Sequence, residues 1–185
     1  MNSLSTPQDA LKELIENLAI KRGEVILASG QKANYYIDCR KVTLHSQGAA
    51  LIGHAIHDRL KDDMPDAVGG MAIGADPIIG AVITIAGLNQ NELRGFIVRK
   101  DEKKHGTSQM VEGPIQPGQS AVILEDVVTT GGSSIKAIER AEAAGLKITG
   151  LICIVDRLAG GRKKFESRGL NFTSLYTIED FGLQP

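Results

Sequence analysis

The sequence predicts one α/β domain with a central, mostly parallel sheet flanked by helices. Short apolar runs alternate with helix-like segments along the chain, and several runs, such as KITGLICIVD at 147–156, are almost continuously apolar. Strands that are buried on both faces of a parallel sheet have this composition. The chain has 185 residues, of which 42% are hydrophobic, so it can bury a substantial core. No repeat or break in composition divides it, and residues 1–185 are assigned to a single domain.

The N-terminal part is predicted to form a small hood beside the sheet, over about residues 1–40. Thr6 can cap a helix in which Pro7 takes the first position, and apolar residues then recur at helical spacing. The strands EVILAS (24–29) and NYYIDCR (34–40) follow, with a Ser-Gly turn after the first of them.

The remaining elements alternate between strands and helices. Ser46 and Asp76 are each predicted to cap a helix, and a third helix runs from Ser133 to Ala144, where Gly145 stops it. In such sheets ligands bind outside the carboxyl ends of the strands. The predicted strands are AVGGMAIG (67–74), RGFIVR (94–99), SAVILED (120–126), KITGLICIVD (147–156) and FTSLYT (172–177).

Composition argues against several classes of function. The formal net charge of -1 does not favour nucleic-acid binding, which usually requires a strongly basic domain. Cys39 and Cys153 lie far apart without Cys/His ligand spacing around them, so neither a zinc site nor a disulfide framework is indicated. The sequence shows no secretory signal and no apolar run of membrane-spanning length, which predicts a cytoplasmic protein.

The most informative stretch is VILEDVVTTGGSS, residues 122–134. An apolar strand runs into Glu125 and Asp126, and a Thr-Thr-Gly-Gly-Ser-Ser loop then opens a helix. Glycines let successive amides point at one spot, hydroxyls add donors, and the helix N-terminus adds partial positive charge, which together suit a phosphate group. The two carboxylates can accept hydrogen bonds from a sugar diol. Neither a Walker loop nor a dinucleotide-binding GxGxxG matches this stretch.

This stretch resembles the binding motif for 5-phosphoribosyl 1-pyrophosphate (PRPP) of the type I phosphoribosyltransferases, which makes their fold the expected one. The resemblance implies that Glu125 and Asp126 hold the ribose hydroxyls of PRPP and that Asp126 takes part in catalysis. Many family members have two aspartates here, and Glu125 keeps the charge. The implied contacts of the loop with the rest of PRPP are Val127, Val128, Thr129, Thr130, Gly131, Gly132 and Ser133.

A long charged loop precedes that motif. About twenty residues with little predicted structure follow the strand that ends at Val98, a length typical of lids and binding loops. They begin with RKDEKKHG (99–106), which is similar to the catalytic loop Arg-Lys-x-x-Lys-x-His-Gly of the orotate phosphoribosyltransferase branch. The resemblance implies a homodimer with shared active sites, in which Lys103 and His105 act catalytically. The implied PRPP contacts of this loop are Arg99, Lys100, Lys103 and His105.

Two further segments resemble the same branch. SGQKANYYID (29–38) is similar to a segment whose aromatic residue lines the orotate site, and VDR (155–157) to one whose arginine faces orotate. The residue types leave other interpretations open, because one tyrosine of an alternating strand faces the core and the arginine could pair with Asp156. The orotate contacts implied by the resemblance are Tyr35, Tyr36, Thr129 and Arg157.

Two segments depart from the family pattern, one at a single residue and the other at a residue pair. Some members have a lysine where this chain has Ala28, and a Tyr-Lys pair where it has Ile73 and Gly74. Backbone amides near Gly74 would then have to contact pyrophosphate, and Asp76 is interpreted as a helix cap alone. The resemblance also implies Mg2+ as a cofactor, held mainly through substrate and water rather than by protein ligands.

The reaction implied by the resemblance is the transfer of the phosphoribosyl group of PRPP to orotate, giving orotidine 5'-monophosphate and pyrophosphate in de novo pyrimidine (UMP) biosynthesis. A purine phosphoribosyltransferase is one alternative, but it does not explain Arg157 or the RKDEKKHG loop. A non-catalytic regulator that senses PRPP and binds RNA or a repressor target is another, and it would require a basic face.

Overall fold

A computed structural model of the chain describes residues 6–26, 32–101 and 109–185. The α-helices in these ranges are α1 Pro7–Leu14, α2 Arg40–Thr43, α3 Ser46–Leu60, α4 Asp76–Leu88, α5 Gly132–Ala143 and α6 Gly161–Glu166. The strands are β1 Ile20–Ile26, β2 Lys32–Ile37, β3 Ala67–Met71, β4 Arg94–Val98, β5 Val111–Glu112, β6 Ser120–Val128, β7 Lys147–Asp156 and β8 Asn171–Thr177. A π-helical turn, Ile15–Ala19, continues α1, and a 3-10 turn, Ile178–Phe181, follows β8.

The central sheet has the strand order β5-β4-β3-β6-β7-β8. Its strands pair in parallel, except that β5 runs antiparallel to β4. The strands β1 and β2 form a separate antiparallel hairpin. The predicted mostly parallel sheet with an N-terminal hairpin is therefore confirmed.

Apolar side chains cover both faces of this sheet. Along β6, Val122 and Leu124 belong to a core cluster that includes side chains of α1, α3 and α4. The alternate residues Ala121 and Ile123 belong to a second cluster with α5 and α6. Burial on both faces explains why residues 121–124 of the strand are all apolar, and it holds the carboxyl end of the strand in a fixed position.

The predicted start of α1 is confirmed, and that of α3 is wrong by one residue. The hydroxyl of Thr6 accepts a hydrogen bond from the N–H of Asp9 at 3.1 Å, and the Asp9 carboxylate accepts one from the N–H of Thr6 at 3.0 Å. At α3 the capping residue is His45, whose Nδ1 accepts from Gly48 N–H at 3.5 Å. Ser46 already belongs to the helix, because the extended backbone ends at His45.

The prediction that Asp76 caps α4 is also wrong. The N-cap position is Ala75, whose backbone is already helical at φ -78° and ψ -24°, so Asp76 falls in the first turn. Its Oδ1 is buried and has no hydrogen-bond partner among the described residues. Burial accordingly raises the pKa of Asp76.

The hood and the long loop differ in detail from the prediction. The first strand of the hairpin begins at Ile20 rather than Glu24, and the second ends at Ile37 because α2 begins at Arg40. The predicted Ser-Gly turn lies outside the described residues. The loop after β4 contains β5, which was not predicted, and Arg99 N–H donates to the carbonyl of Met110 at 2.9 Å beside it. None of the helices in the described ranges is long and apolar enough to cross a membrane.

Candidate active site

A cavity of about 270 Å3 opens where the carboxyl ends of β3 and β6 face the hood. This location is where open parallel sheets bind their ligands. Its lining joins the acidic pair, the hairpin, the β3–α4 loop and the root of the charged loop. The described residues that line it are Tyr36, Ile37, Asp38, Arg40, Met71, Ala72, Ile73, Gly74, Lys100, Glu125, Asp126, Val127 and Ser133.

The acidic pair is held in place by neighbouring donors. Glu125 is 6% exposed, and its Oε2 accepts hydrogen bonds from the hydroxyls of Ser133 at 3.0 Å and Ser134 at 2.9 Å. The Oδ1 of Asp126 accepts from the N–H of Val127 at 2.8 Å. These bonds satisfy only part of the accepting capacity of two carboxylates, which leaves oxygens available for donors of a ligand.

The burial of both acids changes their ionisation. Burial raises the pKa of Glu125 to about 7; the Asp126 carboxylate adds to the rise, while the two serine hydroxyls oppose it. Burial also raises the pKa of Asp126, although the N–H of Val127 and the guanidinium of Arg40 lower it. Buried acids with raised pKa values are characteristic of functional sites.

The predicted phosphate loop forms the N-terminus of α5. Gly131 is the N-cap residue with φ 76°, and a Cβ at this position would lie 2.7 Å from Cζ of Phe165. Only glycine fits both requirements. No side chain of the described residues caps α5, and Thr130, Gly132 and Ser133 are exposed, so the first turn is accessible to an anion.

Two backbone hydrogen bonds join the start of the predicted phosphate loop to the segment that follows β7. The N–H of Arg157 donates to the carbonyl of Val128 at 2.9 Å, and the N–H of Gly161 to that of Thr129 at 3.1 Å. Val128 is 1% exposed, so the predicted contact of this residue with PRPP has little accessible surface in this structure. The loop is thereby placed beside the residues predicted to bind orotate.

The two tyrosines of β2 face opposite ways, in agreement with the interpretation that one tyrosine of an alternating strand faces the core. Tyr35 is 6% exposed, its hydroxyl accepts from Nε of Arg157 at 3.0 Å, and the guanidinium carbon lies 4.8 Å from its ring centroid. Tyr36 is 38% exposed and lines the cavity. Asp156 approaches Arg162 instead, at 3.7 Å, so the alternative pairing of Asp156 with Arg157 is not observed.

The root of the charged loop is anchored by α5. Arg140 donates through Nη1 to the carbonyl of Arg99 and, at 3.1 Å, to that of Lys100. Lys100 lines the cavity, whereas the guanidinium of Arg99 pairs with Glu112 at 2.9 Å. The predicted residues Lys103 and His105, like Ala28, lie outside the described residues.

The β3–α4 loop also lines the cavity. Gly74 lies against the acidic pair, since a Cβ at this position would be 3.1 Å from Oδ1 of Asp126. Ile73 is 68% exposed. Within the described part of the chain, no acceptor meets the N–H of either Ile73 or Gly74, so both amides are available for the pyrophosphate contact predicted near Gly74.

Sequence reasoning missed four residues of this site. Asp38 and Arg40 line the cavity, Ser134 bonds to Glu125, and Arg140 holds the loop root. The first two follow the aromatic pair of β2 as Asp-x-Arg, a spacing that could have indicated a fork-shaped ion pair. For Arg140 the sequence gives no signal, because its partners are backbone carbonyls 40 and 41 residues away.

The sheet, with a phosphate loop that follows two buried carboxylates, defines a phosphoribosyltransferase. The family model described as phosphoribosyl transferase domain matches residues 41–182. A protein of Rhodopirellula baltica named orotate phosphoribosyltransferase is 53% identical to this chain over 193 aligned positions, with 100% of both chains covered. The chain belongs to the orotate phosphoribosyltransferase family.

Solved structures are similar over nearly the whole length. The orotate phosphoribosyltransferase of Mycobacterium tuberculosis H37Rv in complex with Fe(III) dicitrate has a TM-score of 0.86 and 35% identity, covering 96% of this chain and 100% of that chain. The same enzyme in complex with PRPP has a TM-score of 0.83 and 32% identity, with the same coverage.

Proposed function

We propose that this protein transfers the phosphoribosyl group of PRPP to orotate, which yields orotidine 5'-monophosphate and pyrophosphate for pyrimidine (UMP) biosynthesis. The observation that carries the proposal is the link between the acidic pair and the phosphate loop. Both serine hydroxyls at the start of α5 bond to Glu125, so the two parts hold a fixed separation. In ribose 5-phosphate the sugar likewise sets the separation between the diol, which would meet the acidic pair, and the phosphate, which would meet the loop.

In this proposal PRPP lies across the carboxyl ends of β3 and β6. Its 5'-phosphate accepts hydrogen bonds from the backbone N–H groups of residues 129–133 at the N-terminus of α5 and from the hydroxyl of Thr130. Its 2- and 3-hydroxyls donate to Glu125 and Asp126. The diphosphate at the anomeric carbon then points into the cavity between the β3–α4 loop and Lys100.

Orotate occupies the side of the site formed by the hood and the end of β7. Tyr36 offers an accessible ring for the planar base, and Thr129 a hydroxyl beside the ribose. Arg157 provides a guanidinium for the orotate carboxylate, with its orientation restricted by Tyr35. Since Tyr35 is buried, its contribution to orotate binding is through Arg157.

The reaction breaks the bond between the anomeric carbon and the diphosphate oxygen and forms a bond from that carbon to N1 of orotate, which gives up its N–H proton to the departing diphosphate or to water. Negative charge grows on the departing diphosphate, while positive charge grows on the ribose ring. The protein accelerates such a step by positioning and by cations aimed at the leaving group. Lys100, with Lys103, His105 and Arg99 of the charged loop, supplies these cations, and Asp126 stabilises the ribose.

Mg2+ fits the hard oxygen donors of this site, the carboxylates of Glu125 and Asp126 beside the ribose hydroxyls. Across the described ranges no set of three or more His, Cys, Asp or Glu side chains could hold a metal ion by itself. We therefore place the ion mainly on PRPP oxygens and water. When bound, Mg2+ neutralises part of the diphosphate charge.

The proposal includes a homodimer, in which the charged loop of one subunit completes the site of the other, and a cytoplasmic location. Mixing Lys103→Ala subunits with Asp126→Asn subunits tests the shared site. Because a mixed dimer contains one intact site, the mixture should regain activity that neither variant has. If no activity returns although mixed dimers form, the loop acts within its own subunit.

Loss of orotate absorbance tests the function itself. The purified protein with Mg2+ and PRPP should consume orotate and release pyrophosphate, and Asp126→Asn should abolish both. Hypoxanthine or guanine consumption without orotate consumption would assign the site to purines. Tight PRPP binding without turnover of any base would favour the regulator.

A further inference from the structure

Arg40 is held in one orientation at the edge of the cavity. Its Nε donates to Oδ1 of Asp38 at 2.8 Å and its Nη2 to Oδ2 at 3.0 Å, which is a two-pronged contact. The backbone N–H of Arg40 also donates to Oδ1 of Asp38, at 3.2 Å. Such a fork fixes the plane of the guanidinium and leaves its remaining N–H groups directed elsewhere.

In the Asp38–Arg40 ion pair the carboxylate is largely protected from solvent, whereas the guanidinium is accessible. The Asp38 side chain is 16% exposed and that of Arg40 is 48% exposed. Arg40 lines the same cavity as Asp126 at the end of β6, and its charge lowers the pKa of Asp126. Arg40 therefore presents a preorganised cation to the space above the acidic pair.

Among the described residues that line the cavity, the cations are Arg40 and Lys100. The β3–α4 loop, which also lines the cavity, carries no charge at Ala72, Ile73 or Gly74. A diphosphate group bound in this space would thus meet amides on one side and require its positive partners from the hood and from the charged loop.

We propose that Arg40 binds the diphosphate group of PRPP and retains it as pyrophosphate after the transfer, with Asp38 as its positioning residue. This inference rests on the proposed function. The ribose hydroxyls are donors and gain nothing from a guanidinium, whereas the diphosphate oxygens are acceptors. Arg157 already provides a guanidinium on the side of the site where orotate is placed.

The chemistry of this contact explains why an arginine, rather than a lysine, stands at position 40. A lysine would be a point charge that cannot bond to both carboxylate oxygens and still face a ligand with a fixed donor. Asp38 fixes the plane of the guanidinium through its two hydrogen bonds to Nε and Nη2. The hood then takes part in PRPP binding as well as in orotate binding.

Titration with inorganic pyrophosphate in the presence of Mg2+, together with steady-state kinetics, tests the inference. Loss of a charge-assisted hydrogen bond predicts that Arg40→Ala weakens pyrophosphate binding and raises KM for PRPP by roughly 10- to 100-fold. KM for orotate should change less than about threefold, because the orotate contacts stay intact. Arg40→Lys should recover only part of the loss, and Asp38→Asn should give an intermediate loss with the guanidinium still present.

Arg168→Ala is the matched control, since Arg168 also pairs with carboxylates, those of Glu139 and Glu142, but does not line the cavity. It should leave all three constants unchanged. Unaltered pyrophosphate binding in Arg40→Ala overturns the inference, and so does a rise in KM for orotate alone, which would assign Arg40 to the base. A wild-type protein that consumes no base contradicts the proposed function instead, while the pyrophosphate titration still decides the role of Arg40.

Discussion

The hydroxyl of Ser134 donates a hydrogen bond of 2.9 Å to Oε2 of Glu125. Ser134 is 1% exposed and Glu125 is 6% exposed, so the bond is formed away from solvent. It joins the first turn of α5 to the end of β6. A buried carboxylate that loses such a donor keeps its desolvation cost without compensation, which makes this bond important for the geometry of the site.

Ser134→Ala should lower the free energy of unfolding by about 1–3 kcal/mol, because one donor to a buried acid is removed. It should also raise the pKa of Glu125 further, since this hydroxyl lowers it. Urea unfolding measures the first effect, and carboxyl NMR titration the second. Ser167→Ala is the control, because that exposed hydroxyl bonds only to the Lys164 carbonyl. Equal stability of the two variants would contradict the prediction.

The pKa of Glu125 predicts a pH dependence of stability. Burial raises it from 4.5 to about 7, so the neutral acid is favoured in the folded chain. The stabilising contribution is complete below pH 4.5 and is lost as the pH rises to about 7, with a total of roughly 3 kcal/mol. Glu125→Gln should therefore gain stability relative to the wild type between pH 4.5 and 8.

Unfolding of both proteins at pH 4.5, 6 and 8 provides this comparison, in which the other titrating groups largely cancel. If the difference in the free energy of unfolding between Glu125→Gln and the wild type does not change with pH, Glu125 ionises as readily in the folded chain as in the unfolded chain, and the prediction is wrong.

The two tyrosines of β2 should have separable effects. Tyr36→Ala should raise KM for orotate by about tenfold with little loss of stability, because the ring is partly exposed. Tyr35→Phe removes the acceptor of Arg157 Nε and should cost about 1 kcal/mol of stability. Thermal unfolding and orotate kinetics measure the two effects. If Tyr36→Ala leaves KM for orotate unchanged, the proposed location of the base is wrong.

Gly131 should tolerate no side chain. Alanine there must adopt φ near 76° and place its Cβ against Phe165, so Gly131→Ala should cost about 2–4 kcal/mol and weaken PRPP binding. Gly160→Ala separates the two causes, since Gly160 has φ 91° but no atom within 4 Å of the added Cβ. It should cost only about 1–2 kcal/mol. Equal losses would show that the Phe165 contact is immaterial.

Arg140 should control the order of the loop root. Arg140→Ala removes the donors to the carbonyls of Arg99 and Lys100, so amide hydrogen exchange across residues 99–101 should accelerate by roughly tenfold. The activity should fall as Lys100 becomes less well placed. Arg94→Ala, at the opposite end of β4, is the control and should change neither quantity. Unchanged exchange in Arg140→Ala would contradict an anchoring role.

The sequence predicts the sheet, the acidic pair and the phosphate loop because each is a local pattern. The apolar run before Glu125 and the glycines after Asp126 are adjacent in the chain, so short-range chemistry is enough to recognise them. The family resemblance added the roles of the hood residues and of the charged loop. Those features depend on residues that are distant from the phosphate loop in sequence.

The errors concern contacts that only the folded chain creates. Ser46 and Asp76 have good capping chemistry, but the backbone turns helical one residue earlier than expected in each case. Similarly, Arg99 appears free in sequence and is paired with Glu112 across the β4–β5 hairpin. The Asp38–Arg40 fork is local, yet its place above the acidic pair follows from how the hood packs on the sheet.

The crystal structure of this protein with PRPP and Mg2+ tests the central claim most directly. The account predicts the 5'-phosphate on the amides of residues 129–133, the ribose hydroxyls within hydrogen-bond distance of Glu125 and Asp126, and the diphosphate between Arg40 and the β3–α4 loop. Density for PRPP that leaves the acidic pair without a ribose contact would contradict the account.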